Sequence, residues 1–263
     1  MATSFYERPG LNIELYPERA WKHDIPFYVA RAKAAPGPVL ELGSGPGRVC
    51  IPIAEAGCEI TGLELSSAML AAAEERRVSL PADVQAGLRF VQGNMANFQL
   101  GETFQLVIIA FRSFQMLLLP EEQRDCLRCV HQHLEPGGKL IIDVFDPLLH
   151  LAVPGRIEEQ PEERDAEREA VHPLTGNPVS IVVETRENDA VRQVLEETWR
   201  FREYDTDGNV LRDEREVLRM RWSYRYEMRH LLELAGFQVE AEYSDFDESP
   251  PAYGKEQIWV ARK

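Results

Sequence analysis

The densest chemistry in this 263-residue chain is Glu41-Leu42-Gly43-Ser44-Gly45-Pro46-Gly47-Arg48. It follows the short apolar run Val39-Leu40-Glu41-Leu42 and precedes a helical pattern from Arg48 to Ala56, closed by Gly57. The segment therefore lies where a strand hands over to a helix. Glycine at such a point lets the backbone turn sharply and lets a ligand approach closely. A dinucleotide fingerprint spaces its glycines as G-x-G-x-x-G. Here they stand at 43, 45 and 47, and an acid sits two residues before the first. A carboxylate at Glu41 suits a cationic ligand group better than a pyrophosphate. Glu64 is a second acid, at the end of the next strand and just before Ser66. A carboxylate there can accept from both hydroxyls of a ribose, or it flanks a helix start. Asn94-Met95, after a third strand, is another candidate: the amide can accept from an adenine amino group while Met95 packs on the ring. Taken alone, Asn94 reads as a turn residue.

The elements that must position these residues alternate strand and helix. Strands are expected at Val39–Leu42, Glu59–Leu63, Leu88–Gln92, Phe104–Ala110 and Lys139–Phe145, with a Ser66-capped helix after the second and a helix from Pro120 to near Leu134. The unbroken apolar run FQLVIIA fits a strand buried on both faces. This alternation implies an α/β fold with a Rossmann-like, doubly wound, mostly parallel sheet of seven strands. Residues 155–170 mix acids and bases and read as a solvated linker or helix face. Residues 178–222 alternate in period two, with a hairpin signal at Asp205-Thr206-Asp207-Gly208-Asn209, and imply three inserted antiparallel strands. A helix from Tyr224 to Ala235 and a strand pair, Phe237–Tyr243 and Gln257–Ala261, complete the pattern. The expected domains are 1–154 with 223–263 as the ligand-binding body, and 155–222 as an inserted β region.

Together these motifs resemble the class I S-adenosylmethionine-dependent methyltransferases, small-molecule branch, over residues of about 20–146 and 223–263. The resemblance implies S-adenosylmethionine as cofactor. It makes Glu41, Gly43, Ser44, Gly45 and Gly47 the methionine-binding loop, with Arg48 adjoining. Glu64 is then the ribose acid, with Leu65 and Met69 on the cofactor side. Gly93-Asn94-Met95 is the adenine segment, where the family usually has Asp. Ala110 and Phe111 follow the fourth strand and complete the cofactor set. Arg112 falls where the substrate-side loop begins, and Trp222 and Tyr224 are assigned to the acceptor. Tyr16, Trp21 and Tyr28 precede the loop; they either cover the cofactor or pack the leading helix on the sheet.

The implied reaction is direct in-line transfer of a methyl group to an O or N atom of a small metabolite. The protein then mainly supplies alignment and sometimes a base. Asp146 and His150, beyond the fifth strand, are the candidate bases. Arg112 can steer an anionic acceptor group or pair with an acid. The alternatives are a non-catalytic cofactor-binding or interaction protein, and a nucleotide-dependent oxidoreductase, against which the glycine spacing speaks. Cys126-x-x-Cys129-x-His131-x-His133 looks like a metal cluster, yet on a helix Cys126, Cys129 and His133 share one face while His131 points away. No metal is therefore assigned. Trp199, Phe201, Leu218, Met220 and Trp222 read as a sheet face or a cavity lining.

With 29 Lys and Arg against 44 Asp and Glu the net charge is −15, which disfavours a nucleic-acid partner. No run of 18 apolar residues is present, so no membrane partner is expected. Four cysteines are too few for a disulfide framework, and a reducing, cytoplasmic setting is the expectation. The inserted strands need a cover for their apolar face: an acceptor, the main domain, or a second copy in a homodimer.

Overall fold

A computed structural model describes residues 3–16, 22–148, 155–156 and 168–263. In chain order the elements are β1 (Thr3–Ser4), α1 (Leu11–Glu14), α2 (Ile25–Ala34), β2 (Val39–Leu42), α3 (Cys50–Glu55), β3 (Ile60–Glu64), α4 (Ser67–Val78), α5 (Ala82–Ala86) and β4 (Leu88–Gln92). They continue as β5 (Phe104–Ile109), α6 (Pro120–His133), β6 (Leu134–Phe145), β7 (Gly155–Arg156), β8 (Arg168–Val171) and β9 (Pro178–Asp189). The last are β10 (Val194–Tyr204), β11 (Val210–Arg221), α7 (Arg225–Leu234), β12 (Gln238–Tyr243) and β13 (Glu256–Arg262). The chain divides into two compact units.

The larger unit, Lys22–Leu148 with Arg221–Lys263, holds a seven-stranded sheet in the order β12-β13-β6-β5-β2-β3-β4. The pairs from β6 through β4 are parallel, and β13 enters antiparallel to β6 and to β12. Strand alternation sorts side chains onto two buried faces. On one face Leu40, Leu42, Val107, Ile109, Leu140 and Ile142 pack with Leu127 and Val130 of α6 and Leu232 of α7. On the other, Val39, Leu106, Ile108 and Ile141 pack with Phe27 and Tyr28 of α2 and Ile51 and Ile53 of α3. Glu41 and Asp143 follow the same alternation onto that second face, and both are buried.

The smaller unit, Met1–Trp21 with Leu149–Met220, is a second sheet in the order β1-β11-β10-β9-β7, with β8 also on β9. The three long strands β9, β10 and β11 are those expected between 178 and 222. Asp205 closes the turn between β10 and β11 by accepting from the backbone N–H groups of Asp207 and Asn209. One face buries Phe201, Val179 and Ile181 against Phe5, Leu11 and Leu15, with Trp199 and Leu218 packed at its margin.

Two expectations about boundaries are corrected. Of residues 155–170, expected to be a linker or helix face, 157–167 lie outside the described residues, whereas β7 and β8 at the two ends both pair antiparallel with β9; an open strand edge offers backbone partners even to charged residues. The N-terminal residues were expected in the ligand-binding body. Instead β1 pairs in parallel with Glu216 and Val217 of β11, and Glu216 accepts from the backbone N–H of Tyr6 and the side chain of Asn12. Trp21 and His150 lie outside the described residues.

Candidate active site

Register brings the site residues to one edge of the large sheet. Leu42 pairs with Leu63, Glu64 with Gln92, Glu41 with Ile108, and Ile109 with Ile142. The chain leaves β2, β3, β4 and β5 at neighbouring points, as ligand sites in open α/β sheets require. The glycine loop is anchored there by the Gly43 and Ser44 N–H groups, which donate to the Leu63 carbonyl at 2.8 and 3.1 Å. Arg76 of α4 donates to the Pro46 carbonyl at 2.6 Å from the far side. Gly43, Gly45 and Gly47 all take positive φ, a conformation open to glycine at little cost. Their surroundings differ. A Cβ on Gly47 would lie 2.8 Å from the Phe90 ring, and one on Gly43 would lie 2.8 Å from Ser113, whereas one on Gly45 would meet nothing within 4 Å. Gly45 therefore borders open space at the strand edge.

Glu64 faces this loop. Its carboxylate accepts from the Gly45 N–H at 2.8 Å and the Ser66 N–H at 2.7 Å. Burial raises its pKa, against the opposing pull of those backbone donors. Ser66 caps α4 by accepting from the Met69 N–H at 3.1 Å. Met69 is buried beneath this cap, while Leu65 is exposed. Asn94 accepts from the Ala96 N–H at 2.8 Å, and its carbonyl accepts from the Asn97 N–H. Its side chain is thus a turn former, and the turn carries Met95 to the loop, with Cε 3.1 Å from where a Gly43 Cβ would stand. The Ser44 hydroxyl is buried and has no hydrogen-bond partner in the protein. It points at Gly62 of β3, where an added Cβ would stand 2.7 Å from it.

Beneath the loop lies a set of ionisable groups. Glu41 is buried and accepts from the Cys50 thiol at 2.8 Å. Burial pushes its pKa up to about 8, opposed by the Cys50 bond and by Arg48. Arg48 makes two bonds to Asp24, at 2.6 and 2.7 Å, and its guanidinium lies 4.7 Å from the Phe111 ring centroid. Arg48 is therefore a brace at the start of the helix rather than a group presented to the open space. Phe111 and Arg112 follow Ala110 with φ of 53° and 65°. Two successive non-glycine residues in the left-handed region need external support. Asp143 supplies it, accepting from the Phe111 N–H at 2.8 Å and the Arg112 N–H at 3.2 Å. The Tyr28 hydroxyl donates to the same carboxylate. Of the two sequence readings of Tyr28, packing the leading helix on the sheet is the one observed, and its ring is fully buried.

Other candidates sit as follows. The Arg112 guanidinium pairs with Glu256 at 2.5 Å. Asp146 accepts from the Gly254 N–H and Gln257 amide, each at 2.8 Å, and lies 3.5 Å from Arg225. These contacts hold the β6–β13 end together. Trp222 is buried and Tyr224 half-exposed, with rings 5.3 Å apart. Tyr16 belongs to the smaller unit, its ring 5.9 Å from Tyr6. Cys126 and Cys129 are core residues of α6. His133 accepts from the Leu100 N–H at 3.1 Å and lies beside Phe98. Among the described residues, no group of three or more His, Cys, Asp or Glu is arranged to hold a metal ion. Asp24, Arg76 and Asp143 are structural partners of the site that sequence reasoning did not single out. For Asp143 the signal was present: an acid at a core-facing position of the apolar run KLIIDVF.

A seven-stranded, mostly parallel, Rossmann-like sheet thus brings a glycine loop, an acid on the next strand and a turn carrying Met95 to one strand edge. The family model described as a methyltransferase domain matches residues 39–138. The cypemycin N-terminal methyltransferase from a Streptomyces species is 33% identical over 109 residues, covering 41% of this chain and 42% of that one. The chain thus matches about two-fifths of the length of that curated relative. The CcbJ methyltransferase from Streptomyces caelestis superposes with a TM-score of 0.76 at 24% identity, over 99% of this chain and 98% of that one. The glycopeptide N-methyltransferase MtfA, solved with S-adenosyl-L-methionine, superposes with a TM-score of 0.59 at 26% identity, over 90% and 86% of the two chains.

Proposed function

We propose that the chain is an S-adenosylmethionine-dependent methyltransferase that acts on a small-molecule acceptor at an O or N atom, with nitrogen favoured. The observation that carries this reading is the open space over Gly45, bordered by the Glu64 carboxylate that accepts from the Gly45 N–H. The fit is chemical as well as steric. Glu64 is held by two backbone donors, which leaves further lone pairs of a two-oxygen acceptor for the paired hydroxyls of a ribose. Met95 offers a soft apolar surface for a purine. The bound cofactor supplies an activated methyl group on a sulfonium.

The chain's own contribution is alignment. The loop, the Asn94 turn and the Phe111–Arg112 turn fix three sides of the cradle, and an in-line displacement gains most from such orientation. An amine acceptor needs only its lone pair, so a base is not obligatory. Nitrogen is favoured because both N-methyltransferase relatives named above act there. Supporting readings are a cytoplasmic setting, since the cysteines among the described residues are free thiols, and a lack of nucleic-acid binding, since the net charge is −15. Among the described residues no helix is long and apolar enough to cross a membrane. A homodimer through the inserted strands rests on their long alternating pattern, and light scattering at two concentrations tests it.

The experiment is a thermal-shift and calorimetric titration with S-adenosylhomocysteine, then turnover on a panel of amino sugars and peptide amines read by release of S-adenosylhomocysteine. A native-state ligand must raise Tm. No shift at millimolar probe, in protein shown by mass spectrometry to be ligand-free, ends the cofactor assignment. Binding without turnover on any acceptor favours the non-catalytic alternative.

A further inference from the structure

Asp24 and Tyr28 stand four residues apart at the start of α2, linked by the Tyr28 N–H to Asp24 carbonyl bond. At that spacing their side chains leave the same face of the helix. Each reaches a different part of the candidate site. Asp24 takes both terminal nitrogens of Arg48, at the end of the glycine loop. Tyr28 donates to Asp143, which in turn holds the backbone N–H groups of the strained Phe111–Arg112 turn. The circuit closes where the Arg48 guanidinium lies over the Phe111 ring at 4.7 Å. Asp24, Tyr28, Arg48 and Asp143 are all buried, so solvent screens these contacts little. One turn of one helix thus grips the loop with one residue and the turn after β5 with the other.

We propose that Asp24 and Tyr28 are positioning residues that hold the glycine loop and the Phe111–Arg112 turn in one fixed relation, so that cofactor affinity depends on both grips. This rests on the methyltransferase reading above. Neither residue has to touch the cofactor. Asp143 also gives the arrangement a readable signature. Burial raises its carboxyl to about 6, with the negative charges of Glu256 on β13 and Asp24 on α2 acting in the same direction and the Tyr28 bond opposing them. Arg112 is paired with Glu256, and Arg48 acts on the neighbouring Tyr28. A protonated Asp143 has lost one acceptor position and holds the turn less well.

The test is calorimetric affinity for S-adenosylhomocysteine between about pH 5 and pH 7, on wild type, Tyr28→Phe and Asp143→Asn. The same probe is used throughout, so its own ionisation cancels between variants. Wild-type affinity is expected to fall as pH drops through about 6. Tyr28→Phe keeps the ring and removes the bond that opposes protonation. Its fall should begin at higher pH, with affinity at pH 7 weaker by about three- to tenfold. Asp143→Asn should abolish the step near 6 and bind weakly throughout; it also serves if Tyr28→Phe fails to fold. A Tyr28→Phe protein with lowered Tm whose affinity curve superposes on wild type would reduce Tyr28 to core packing and overturn the proposal. Wild type that binds no probe at any pH overturns the methyltransferase reading itself, a distinguishable result.

Discussion

Alanine at Gly45 and alanine at Gly47 should fail in opposite ways. Both glycines have positive φ, 53° and 81°, so either substitution carries the left-handed cost of about 1 kcal/mol. At Gly45 that is the whole structural cost, because the added Cβ meets nothing within 4 Å. For a chain of this size it lowers Tm by about 2–4 °C. At Gly47 the same methyl comes within 2.8 Å of the Phe90 ring and 3.2 Å of Ile51. Overpacking there adds about 1–3 kcal/mol. Binding should show the reverse order. The Gly45 methyl occupies the space assigned to the amino-acid end of the cofactor and should weaken S-adenosylhomocysteine at least about tenfold, or about 1.4 kcal/mol. Gly47→Ala, where it folds, should bind closer to wild type. Melting curves and calorimetric titration on the same samples decide it. If Gly45→Ala loses its few degrees yet binds within about twofold of wild type, the open space over Gly45 is not the cradle.

Glu64→Ala removes an acceptor of two backbone N–H bonds as well as the ribose contact; cofactor affinity should fall by about 1–3 kcal/mol, and unchanged affinity in calorimetry would mean that the ribose acid is elsewhere. Glu41 has a folded pKa raised from 4.5 to about 8, so the native state binds more protons than the unfolded one across that window and stability must fall as pH rises through it. Glu41→Gln, neutral at every pH, should flatten that decline and gain stability relative to wild type toward pH 8, read by denaturant unfolding at several pH values; parallel curves for the two proteins would refute the assignment. Replacing residues 178–222 with a short Gly/Ser linker should abolish methyl transfer while leaving cofactor affinity within about tenfold, provided circular dichroism shows the remaining unit folded; normal transfer by that truncated protein would make the insertion an assembly surface.

Strands buried on both faces were legible because a continuous apolar run bounded by turn residues has few other readings. Val39–Leu42 falls where the pattern placed it, and FQLVII is β5; the edge strand Leu88–Gln92, with Arg89 and Gln92 exposed, also keeps its expected bounds. The glycine loop was legible for a related reason: its backbone geometry demands particular residue types at fixed spacing, so the local sequence carries the signal. What escaped was pairing at long range. β1 and β8 are short, and nothing within Thr3–Ser4 or Arg168–Val171 announces an edge of β11 or β9 as its partner. The electrostatic circuit under the loop escaped in the same way. Tyr28 and Asp143 are 115 residues apart, and Asp24 and Arg48 are 24 apart.

Their residue types still contained a clue. A carboxylate inside a doubly covered strand cannot be left unpaired, so Glu41 within VLEL and Asp143 within KLIIDVF each required a buried partner. The apolar context of an acid thus reveals that a network exists before its members can be named. Glu41 found Cys50 one helix away, and Asp143 found two strained N–H groups and a phenol. An apolar side chain at position 143 would satisfy the core equally well but would leave the Phe111–Arg112 turn without its acceptor. Asp143 is therefore better explained by the turn it supports than by the stability of the sheet that buries it.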